Sequence, residues 1–425
     1  MPRARARQRR SLSMPRAPGR ITADGPRELC EALVAALRAP TVDRESADSL
    51  THPFHTYPAR LHPATARVLV DLLGPTARGA RPATFVDPFC GSGTVLVEAR
   101  AANHRAVGVD LNPLAVLVAR AKTWTAPHNR RKHMRERGHA IAGAVLAAGK
   151  AARRASAEPV PERRPVGFDP NARNRRLARW YAPHVRRELE LLAAHLDELR
   201  TTDAELAEVL TACLSAILYK VSSRTSDTDP TWVERHVARG QPARLFAQRV
   251  ELLAAGLADL PQGPPAQIFE HDARALADVI PDGSATAVIT SPPYAGTYDY
   301  AEQQRLRFDF LGLRHRAIDD HEIGSRRSFE RDPDEAAHAW RTALADALAA
   351  ISRCLAPGAP AAIVIGDSVA SRRALYALDD VRAGLSDALV LEAWASQHRP
   401  MLGAGERRAF GDRPKSEHVI LLRRR

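Results

Sequence analysis

Four residues, Ser291-Pro292-Pro293-Tyr294, have the types and order needed to hold a flat ring for chemistry. They follow an apolar run, residues 287–290, that predicts a buried strand. Two consecutive prolines fix the backbone and remove two N–H donors, so carbonyl oxygens here are left for a substrate. Tyr294 adds an aromatic face on which a base can stack. The alternative interpretation is a plain Pro-Pro turn capped by a tyrosine.

A second group of chemistry-bearing residues lies much earlier, in residues 84–99. This segment predicts a short buried strand, a turn containing Gly91 and Gly93, and a helix that begins near Gly93. The start of a helix offers unpaired N–H groups to a ligand. The next predicted strand, residues 106–110, ends in a carboxylate placed to accept hydrogen bonds from ribose hydroxyls. This order is typical of the nucleotide-binding half of a doubly wound sheet.

Together these segments resemble the amino-directed DNA methyltransferases that use S-adenosylmethionine. The resemblance is carried by Asp-Pro-Phe-Cys-Gly-Ser-Gly-Thr at 87–94 and Ser-Pro-Pro-Tyr at 291–294. A third segment, residues 52–63, is similar to the one that closes over the methionine end of the cofactor in this family. The Ser-Pro-Pro-Tyr form looks most like the N4-cytosine enzymes, whereas N6-adenine enzymes more often carry an acidic first residue.

The resemblance implies a role for each matched residue. The catalytic residues would be Ser291, Pro292, Pro293 and Tyr294. The cofactor-binding residues would be Phe54, Tyr57, Asp87, Phe89, Gly91, Gly93, Thr94, Asp110, Asn112 and Asp272. Among these, Asp87 and the two glycines would approach the methionine moiety, Asp110 the ribose, and Asp272 the amine of the cofactor's adenine. For Asp110 and Asp272 the alternative role is that of a helix N-cap.

The chemistry expected of this loop is positioning. The exocyclic amine of cytosine is a poor nucleophile because its lone pair is delocalised into the ring. The Ser291 hydroxyl and the Pro292 carbonyl would bias that nitrogen toward tetrahedral geometry and receive its proton. Positioning then supplies most of the rate, with no covalent intermediate. In a duplex the target base would have to be flipped out, with Tyr294 stacking on it.

The sequence therefore predicts a site-specific DNA methyltransferase that acts on N4 of cytosine, with duplex DNA as its partner. The alternatives are an N6-adenine DNA methyltransferase, a tRNA or rRNA amino-methyltransferase, and a binding protein that has lost catalysis. The RNA enzymes more often begin the loop with Asp or Asn and carry an RNA-binding domain in front, for which the segment before His52 is too short. A restriction or defence partner is left open.

The elements that position these residues predict an α/β fold. We expect a Rossmann-like, doubly wound, mostly parallel sheet of the class I methyltransferase type, with an antiparallel last strand and a helical insert. The predicted parts are a disordered basic tail at 1–25, the first part of the core at 26–124, the insert at 125–265 and the second part of the core at 266–425. In the insert, Thr202 and Glu205 predict a capping box at the start of a helix.

The net charge of +13 is concentrated in two regions. Residues 1–20 contain seven arginines and no acid, and residues 125–187 contain sixteen Lys and Arg against four Asp and Glu. Such a local patch indicates a polyanion partner, so the insert is the candidate target-recognition element. A helical brace is the alternative for the insert. For the basic tail, the alternative is that the start codon has been placed too early and that Met14 is the first residue.

Three loops are further candidates for substrate contact. Residues 222–232 form a polar, irregular segment that ends in an aromatic residue, and a long surface connection is the alternative. Residues 397–416 are basic and glycine-rich, which suits contact with phosphates. Tyr298 and Tyr300 follow the Ser-Pro-Pro-Tyr loop and would help to wall a base pocket, with helix packing as the alternative.

Other site types find little support in the sequence. The four cysteines lie far apart, without disulfide or zinc spacing, which favours a reducing cytoplasm. His52, His55 and His62 lack a cysteine or carboxylate at ligand spacing, so we expect no metal there. No apolar run is long enough to span a membrane.

Overall fold

Within the described residues, an eight-stranded sheet forms the centre of the fold. The structure is a computed structural model that describes residues 19–58, 60–75, 81–154, 177–229, 231–370, 372–401 and 403–425. The strands are β1 (Ile21–Asp24), β2 (Thr84–Asp87), β3 (Arg105–Asp110), β4 (Gln267–Glu270), β5 (Ala287–Thr290), β6 (Pro360–Gly366), β7 (Ser368–Ala370), β8 (Arg373–Leu375), β9 (Leu389–His398) and β10 (Ser416–Arg424).

Eight of these strands form the sheet, in the order β4-β3-β2-β5-β6-β10-β9-β1, whereas β7 and β8 pair with each other in a separate two-stranded sheet. The five strands from β4 to β6 are parallel, whereas β10 runs antiparallel to both β6 and β9. The predicted fold class, including its antiparallel last strand, is confirmed. The chain reverses its direction of winding between β2 and β5, and ligands bind at such a switch point in open α/β sheets.

Helices cover both faces of the sheet and build the insert. They are α1 (Arg27–Val42), α2 (Pro63–Leu73), α3 (Thr94–Ala101), α4 (Pro113–Lys122), α5 (His128–Arg154), α6 (Pro183–Thr202), α7 (Ala204–Leu218), α8 (Gln241–Ala258), α9 (Tyr300–Leu311), α10 (Arg316–His321), α11 (Arg326–Arg331), α12 (Pro333–Cys354), α13 (Ala377–Ala383) and α14 (Ala404–Phe410). Short 3-10 helices occupy Glu45–Asp48, Tyr219–Val221 and Ala273–Asp278.

The apolar core has three parts. Side chains of α1, α2 and α3 pack on one face of the sheet, where Phe85 and Ile289 are fully buried. Side chains of α12 and α13 pack on the other face, against Val288 and Ile363. The insert helices α5 to α8 form a third buried cluster with α4 and α9. All four residues of β5 are buried, as expected for a strand between parallel neighbours with both faces covered.

Two sequence predictions need correction. The prediction of disorder over 1–25 is wrong for residues 21–24, which form β1 and pair antiparallel with β9. The N-cap of α7 is Asp203, whose carboxylate accepts from the Leu206 amide at 3.1 Å, so the cap lies one residue beyond Thr202. Residues 1–18 and 155–176 lie outside the described residues, and with them much of the predicted basic charge.

Two further observations concern possible membrane spans and the cysteines. Among the residues described, no helix has the length and apolar character needed to cross a bilayer. The four cysteines are unpaired thiols, three of them buried.

Candidate active site

The turn at residues 88–93, called the glycine turn below, connects β2 to α3. Gly91 and Gly93 have left-handed φ values of +50° and +78°, and Gly93 is the N-cap of α3, as predicted. A Cβ at Gly93 would lie 3.0 Å from the Cβ of Ala119 in α4. Glycine is therefore required at 93 both by the backbone conformation and by close helix packing.

We expect Gly93→Ala to lower the free energy of unfolding by about 1–3 kcal/mol, since it adds left-handed strain and a contact with Ala119. Gly358→Ala is the matched control, because φ there is +75° and a Cβ would meet nothing within 4 Å. Urea denaturation of both variants separates the two costs. Equal losses would show that packing on α4 contributes nothing.

Asp110 connects the end of β3 to the glycine turn. Its Oδ2 accepts a hydrogen bond from the Gly91 amide at 2.8 Å, and its Oδ1 accepts from the Asn112 amide at 2.8 Å. Burial raises the pKa of Asp110 to about 6. Asn112 caps α4, because its Oδ1 accepts a hydrogen bond from the Leu114 amide at 2.9 Å. Its Nδ2 donates to the Tyr57 hydroxyl at 3.0 Å. The carboxylate thus lies beside the turn, with lone pairs left for further donors.

A pocket opens above the glycine turn and brings three motif segments together. It is lined by Tyr57, Arg60, Leu61, Asp87, Phe89, Cys90, Gly91, Ser92, Thr94, Val95 and Ser291. The hydroxyls of Ser92 and Thr94 are buried and have no hydrogen-bond partner among the described residues. Buried polar groups are normally paired, so these hydroxyls indicate a ligand with polar groups of its own. Together with the carboxylates of Asp87 and Asp110, they fit a cationic ligand that carries a ribose.

Asp87 joins the glycine turn to the loop at residues 291–294, called the acceptor loop below. Its buried carboxylate accepts from the Thr290 hydroxyl at 2.6 Å and from the Phe89 amide at 3.2 Å. Burial raises the pKa of Asp87 to about 7, and these two hydrogen bonds oppose the rise. Thr290 immediately precedes Ser291, although it lies 203 positions from Asp87 in the chain. One hydrogen bond therefore aligns the two motifs.

The acceptor loop is held by a side chain of α12. The Trp340 indole of α12 donates to the Pro293 carbonyl at 3.1 Å, so this carbonyl is used by the fold. The prediction that the loop's carbonyls are free for a substrate is therefore wrong for Pro293. The Pro292 carbonyl has no hydrogen-bond partner in the part of the chain that the structure describes.

Tyr294 is fixed by contacts with residues of β6 and β10, the two strands that follow β5 in the sheet. Its ring packs on Gly366 at the end of β6, where a Cβ would lie 2.8 Å from the Tyr294 Cε2. Its hydroxyl donates to the Glu417 carboxylate at 3.2 Å, and Glu417 is paired with Arg399. Burial raises the pKa of the Tyr294 phenol, and a hydrogen bond with Ser291 opposes the rise. The ring is held in one orientation beside Ser291.

Two tyrosines follow the acceptor loop. The rings of Tyr298 and Tyr300 lie 5.3 Å apart at an angle of 38°. Burial raises the pKa of both phenols, and for Tyr300 the nearby Tyr298 and Asp110 add to the rise. Tyr300 thus lies near the carboxylate at the end of β3. The prediction that these residues wall the site remains a prediction.

Five predicted cofactor residues are not among those that line the pocket. Gly93, Asp110 and Asn112 adjoin or hydrogen-bond to lining residues, whereas Phe54 and Asp272 have other roles. Phe54 is fully buried in the apolar cluster of the insert helices. Asp272 caps the 3-10 helix after β4 by accepting from the Arg274 amide at 2.8 Å, and its carboxylate also pairs with the Arg274 guanidinium. The N-cap role that the sequence left open for Asp272 is therefore present, while its contact with adenine stays a prediction.

The histidines of residues 52–63 have hydrogen-bonding roles. His52 contacts Glu98 at 2.7 Å, and Glu98 in turn pairs with Arg67. His55 contacts the Ser215 hydroxyl of α7 at 3.1 Å. Burial lowers the pKa of His52 to about 4, so this ring is neutral near pH 7. These contacts fasten the segment that carries Tyr57 to α3 and α7.

Several residues around the site were not singled out from the sequence. Those in the pocket lining are Arg60, Leu61, Cys90, Ser92 and Val95. Ser92 lies between the two glycines, a position that could have indicated its role. Glu417, Arg399 and Gly366 lie far from the acceptor loop in the chain, and no local pattern connects them to it. Arg399 belongs to the 397–416 segment predicted to contact phosphates, and here it pairs with Glu417.

Comparison with known proteins finds methyltransferases that match the first part of the chain. Residues 53–159 match the model of the RMKL-like methyltransferase domain, and this range contains the glycine turn and Asp110. A stretch of 74 residues is 39% identical to the type II methyltransferase M.MvaI of Kocuria varians. That stretch is 17% of this chain and 16% of the relative, so the chain matches only a small part of the relative's length.

Solved structures give only distant likenesses. TrmN from Thermus thermophilus is 12% identical with a TM-score of 0.32, over 86% of this chain and 49% of that one. The rRNA methyltransferase aviRa from Streptomyces viridochromogenes is 13% identical with a TM-score of 0.29, over 90% of this chain and 94% of that one. TM-scores this low carry no argument about the substrate. The strand order defines the fold. The match over residues 53–159 indicates the methyltransferase domain.

Proposed function

We propose that this methyltransferase, whose cofactor is S-adenosylmethionine, modifies the exocyclic amine of a DNA base, with N4 of cytosine as the target. The observation that carries the proposal is the hydrogen bond between Asp87 and Thr290. It connects the glycine turn to the acceptor loop, and Ser291 itself lines the pocket. This proximity supports the binding of a cofactor and a methyl acceptor side by side.

The cofactor half provides groups suited to a cationic nucleoside. The backbone at Gly91 and Gly93 allows close approach, and the N-terminus of α3 offers its amides. The buried hydroxyls of Ser92 and Thr94 provide hydrogen-bond partners, and Asp110 is the candidate contact for the ribose. When bound, S-adenosylmethionine supplies an electrophilic methyl group. Asp87 would then place a buried negative charge near its cationic end.

The acceptor half works by orientation of an amine. The Ser291 hydroxyl and the Pro292 carbonyl are acceptors on one side, and the Pro293 carbonyl is removed from the set by Trp340. Two acceptors are enough to orient an exocyclic amine, and the proton that the amine loses on methylation passes to water because neither acceptor is basic enough to keep it. Because the reacting groups are held in place, the expected rate gain comes from positioning. A neutral Ser291 at the first position of the loop supports cytosine rather than adenine as the target.

The test uses purified protein with labelled S-adenosylmethionine and three pools: duplex DNA, bulk tRNA and rRNA. The expected result is label in DNA, identified as N4-methylcytosine by nucleoside mass spectrometry. N6-methyladenine alone would overturn the choice of base, and label in RNA alone would overturn DNA. Cofactor binding measured in parallel by calorimetry shows that the protein is intact. Binding without transfer to any pool would overturn catalysis.

The insert is proposed as the target-recognition element. Part of its predicted basic surface lies outside the described residues, but Arg179, just before Trp180, is exposed. If Arg179 contacts a phosphate, Arg179→Glu should weaken DNA binding and reduce the slope of log Kd against log salt by about one. Arg27→Glu is the control, since Arg27 is an exposed arginine of α1 on the sheet layer. Equal slopes for both variants would leave the insert as a brace.

A further inference from the structure

Residues 223–229 and 231–233 form a hydrogen-bonded hairpin, called the bridged hairpin below. The Val233 amide donates to the Ser223 carbonyl at 2.8 Å, and the Thr225 amide donates to the Thr231 carbonyl at 2.9 Å. Arg224 and Trp232 pair in an antiparallel bridge between these bonds. The sequence left open whether this segment is a substrate contact or a plain connection. Its internal hydrogen bonds give it a defined conformation.

The turn of the hairpin is attached to the elements that frame the active site. The Asp227 carboxylate accepts from the Thr56 hydroxyl at 3.2 Å and from the Arg307 guanidinium at 3.3 Å. Thr56 adjoins Tyr57 of the pocket, and Arg307 belongs to α9, the helix that follows the acceptor loop. Arg307 is fully buried and lies 4.3 Å from the Tyr219 ring centroid. The hairpin is thus fixed relative to the pocket.

The outgoing strand of the hairpin exposes apolar surface. Trp232 is 54% exposed and its neighbour Val233 is 37% exposed. Within the described residues, the other large apolar side chains exposed to this degree are Val42 and Val390, which lie apart from each other. An indole held in water by a rigid hairpin loses little conformational freedom when it contacts a partner. This arrangement indicates a binding surface for a flat ring.

The surroundings of Trp232 favour a nucleic acid as that partner. His236 and Arg239 are exposed on the segment that follows the hairpin, which also carries the exposed Glu234. Exposed Arg179 lies near the base of the hairpin, because the Ser223 amide donates to the carbonyl of its neighbour Trp180 at 2.8 Å. An exposed aromatic ring with basic side chains on the adjoining segments is a combination that stacks bases while the basic groups contact phosphates.

We propose that Trp232 is a nucleic-acid contact whose indole stacks on a base of the substrate outside the pocket that takes the methylated base. This inference rests on the proposed function for the class of its partner. It adds a second aromatic contact, on the insert, to the one at Tyr294. The bridged hairpin then couples substrate binding to the active site through Asp227, Thr56 and Arg307.

The experiment measures the Kd of wild-type and variant protein for a labelled DNA duplex by fluorescence anisotropy, at one fixed salt concentration. Trp232→Ala should raise this Kd about tenfold, and Trp232→Phe should restore most of the affinity because a ring is retained. Val390→Ala, at another exposed apolar residue, should leave the Kd unchanged. The S-adenosylmethionine Kd should be the same for all variants.

An unchanged DNA Kd for Trp232→Ala would overturn the contact, and so would a loss that phenylalanine fails to restore. Methyl transfer by the wild-type protein is measured on the same samples. Transfer to DNA without dependence of binding on Trp232 removes the contact and leaves the proposed function intact. Binding that depends on Trp232 without transfer to DNA removes the proposed function and keeps the contact. Self-association that Trp232→Ala abolishes, with DNA binding unchanged, would assign the surface to a second copy of the chain instead.

Discussion

Replacing Tyr294 by alanine is expected to lower the rate of methyl transfer by roughly 10- to 100-fold, which is the range expected for loss of a base-stacking ring. The affinity for S-adenosylmethionine should stay within about twofold of wild type, since Tyr294 is not among the residues that line the cofactor pocket. Steady-state kinetics on a DNA substrate and calorimetry with the cofactor provide the two measurements. Equal losses in both would show that Tyr294 supports the pocket and not the base.

Two further variants separate the ring of Tyr294 from its hydroxyl. Tyr294→Phe keeps the ring and loses only the hydrogen bond to Glu417, so a decrease below about tenfold is expected. Gly366→Ala keeps the sequence of the acceptor loop. It places a methyl group where the Tyr294 ring packs, 2.8 Å from the ring's Cε2. The alanine at 366 should therefore displace the ring and reproduce much of the effect of Tyr294→Ala. Full activity of Gly366→Ala would contradict a fixed ring orientation.

Replacing Asp87 by alanine is expected to weaken S-adenosylmethionine binding by about 100-fold or more, because hydrogen bonds to charged groups contribute about 1.5–3 kcal/mol each. The alanine also leaves the Thr290 hydroxyl and the Phe89 amide without their shared acceptor. Asp87→Asn keeps an acceptor for both and removes only the charge, so its loss should be smaller, about tenfold. Cofactor affinities that match wild type in both variants would remove Asp87 from the binding site.

The charge of Asp87 should also appear in the pH dependence of stability. Its pKa of about 7 in the folded protein lies above the usual 3.8, so the native state keeps a proton that the unfolded chain releases. The contribution of Asp87 to the free energy of unfolding of the cofactor-free protein should therefore decrease as pH rises from about 4 to about 7. The difference between wild type and Asp87→Asn, measured by urea denaturation at several pH values, isolates this group. A difference that is constant with pH would contradict the raised pKa.

The sequence was sufficient for the parts of the site that lie in local patterns. The glycine turn, the carboxylate that ends β3 and the acceptor loop each combine an apolar strand with a change of residue type at its carboxyl end. In a parallel sheet such ends lie at one edge, which explains why the structure brings them together. The strand order confirms the fold class for the same reason.

The parts that could not be predicted depend on contacts between distant segments. Nothing near Pro293 indicates that Trp340 of α12 takes its carbonyl, and nothing near Tyr294 indicates Glu417 or Gly366. Phe54 lies in a motif similar to a cofactor-closing segment, but the insert helices cover it with apolar side chains. The predicted N-cap of α7 was wrong by one residue. Thr202 and Asp203 are both good N-cap residues, and only the backbone geometry selects between them.

The position of β5 beside β2 has a consequence for how this protein folds. The cofactor motif leaves the ribosome early, but the partner strand and Thr290 follow only after the whole insert. The pairing of β2 with β5 therefore closes a very long loop, and such non-local contacts form slowly. An insert that folds first shortens this loop by bringing its own ends together. The active site is then among the last parts of the molecule to be completed, and stabilising the insert should speed its assembly.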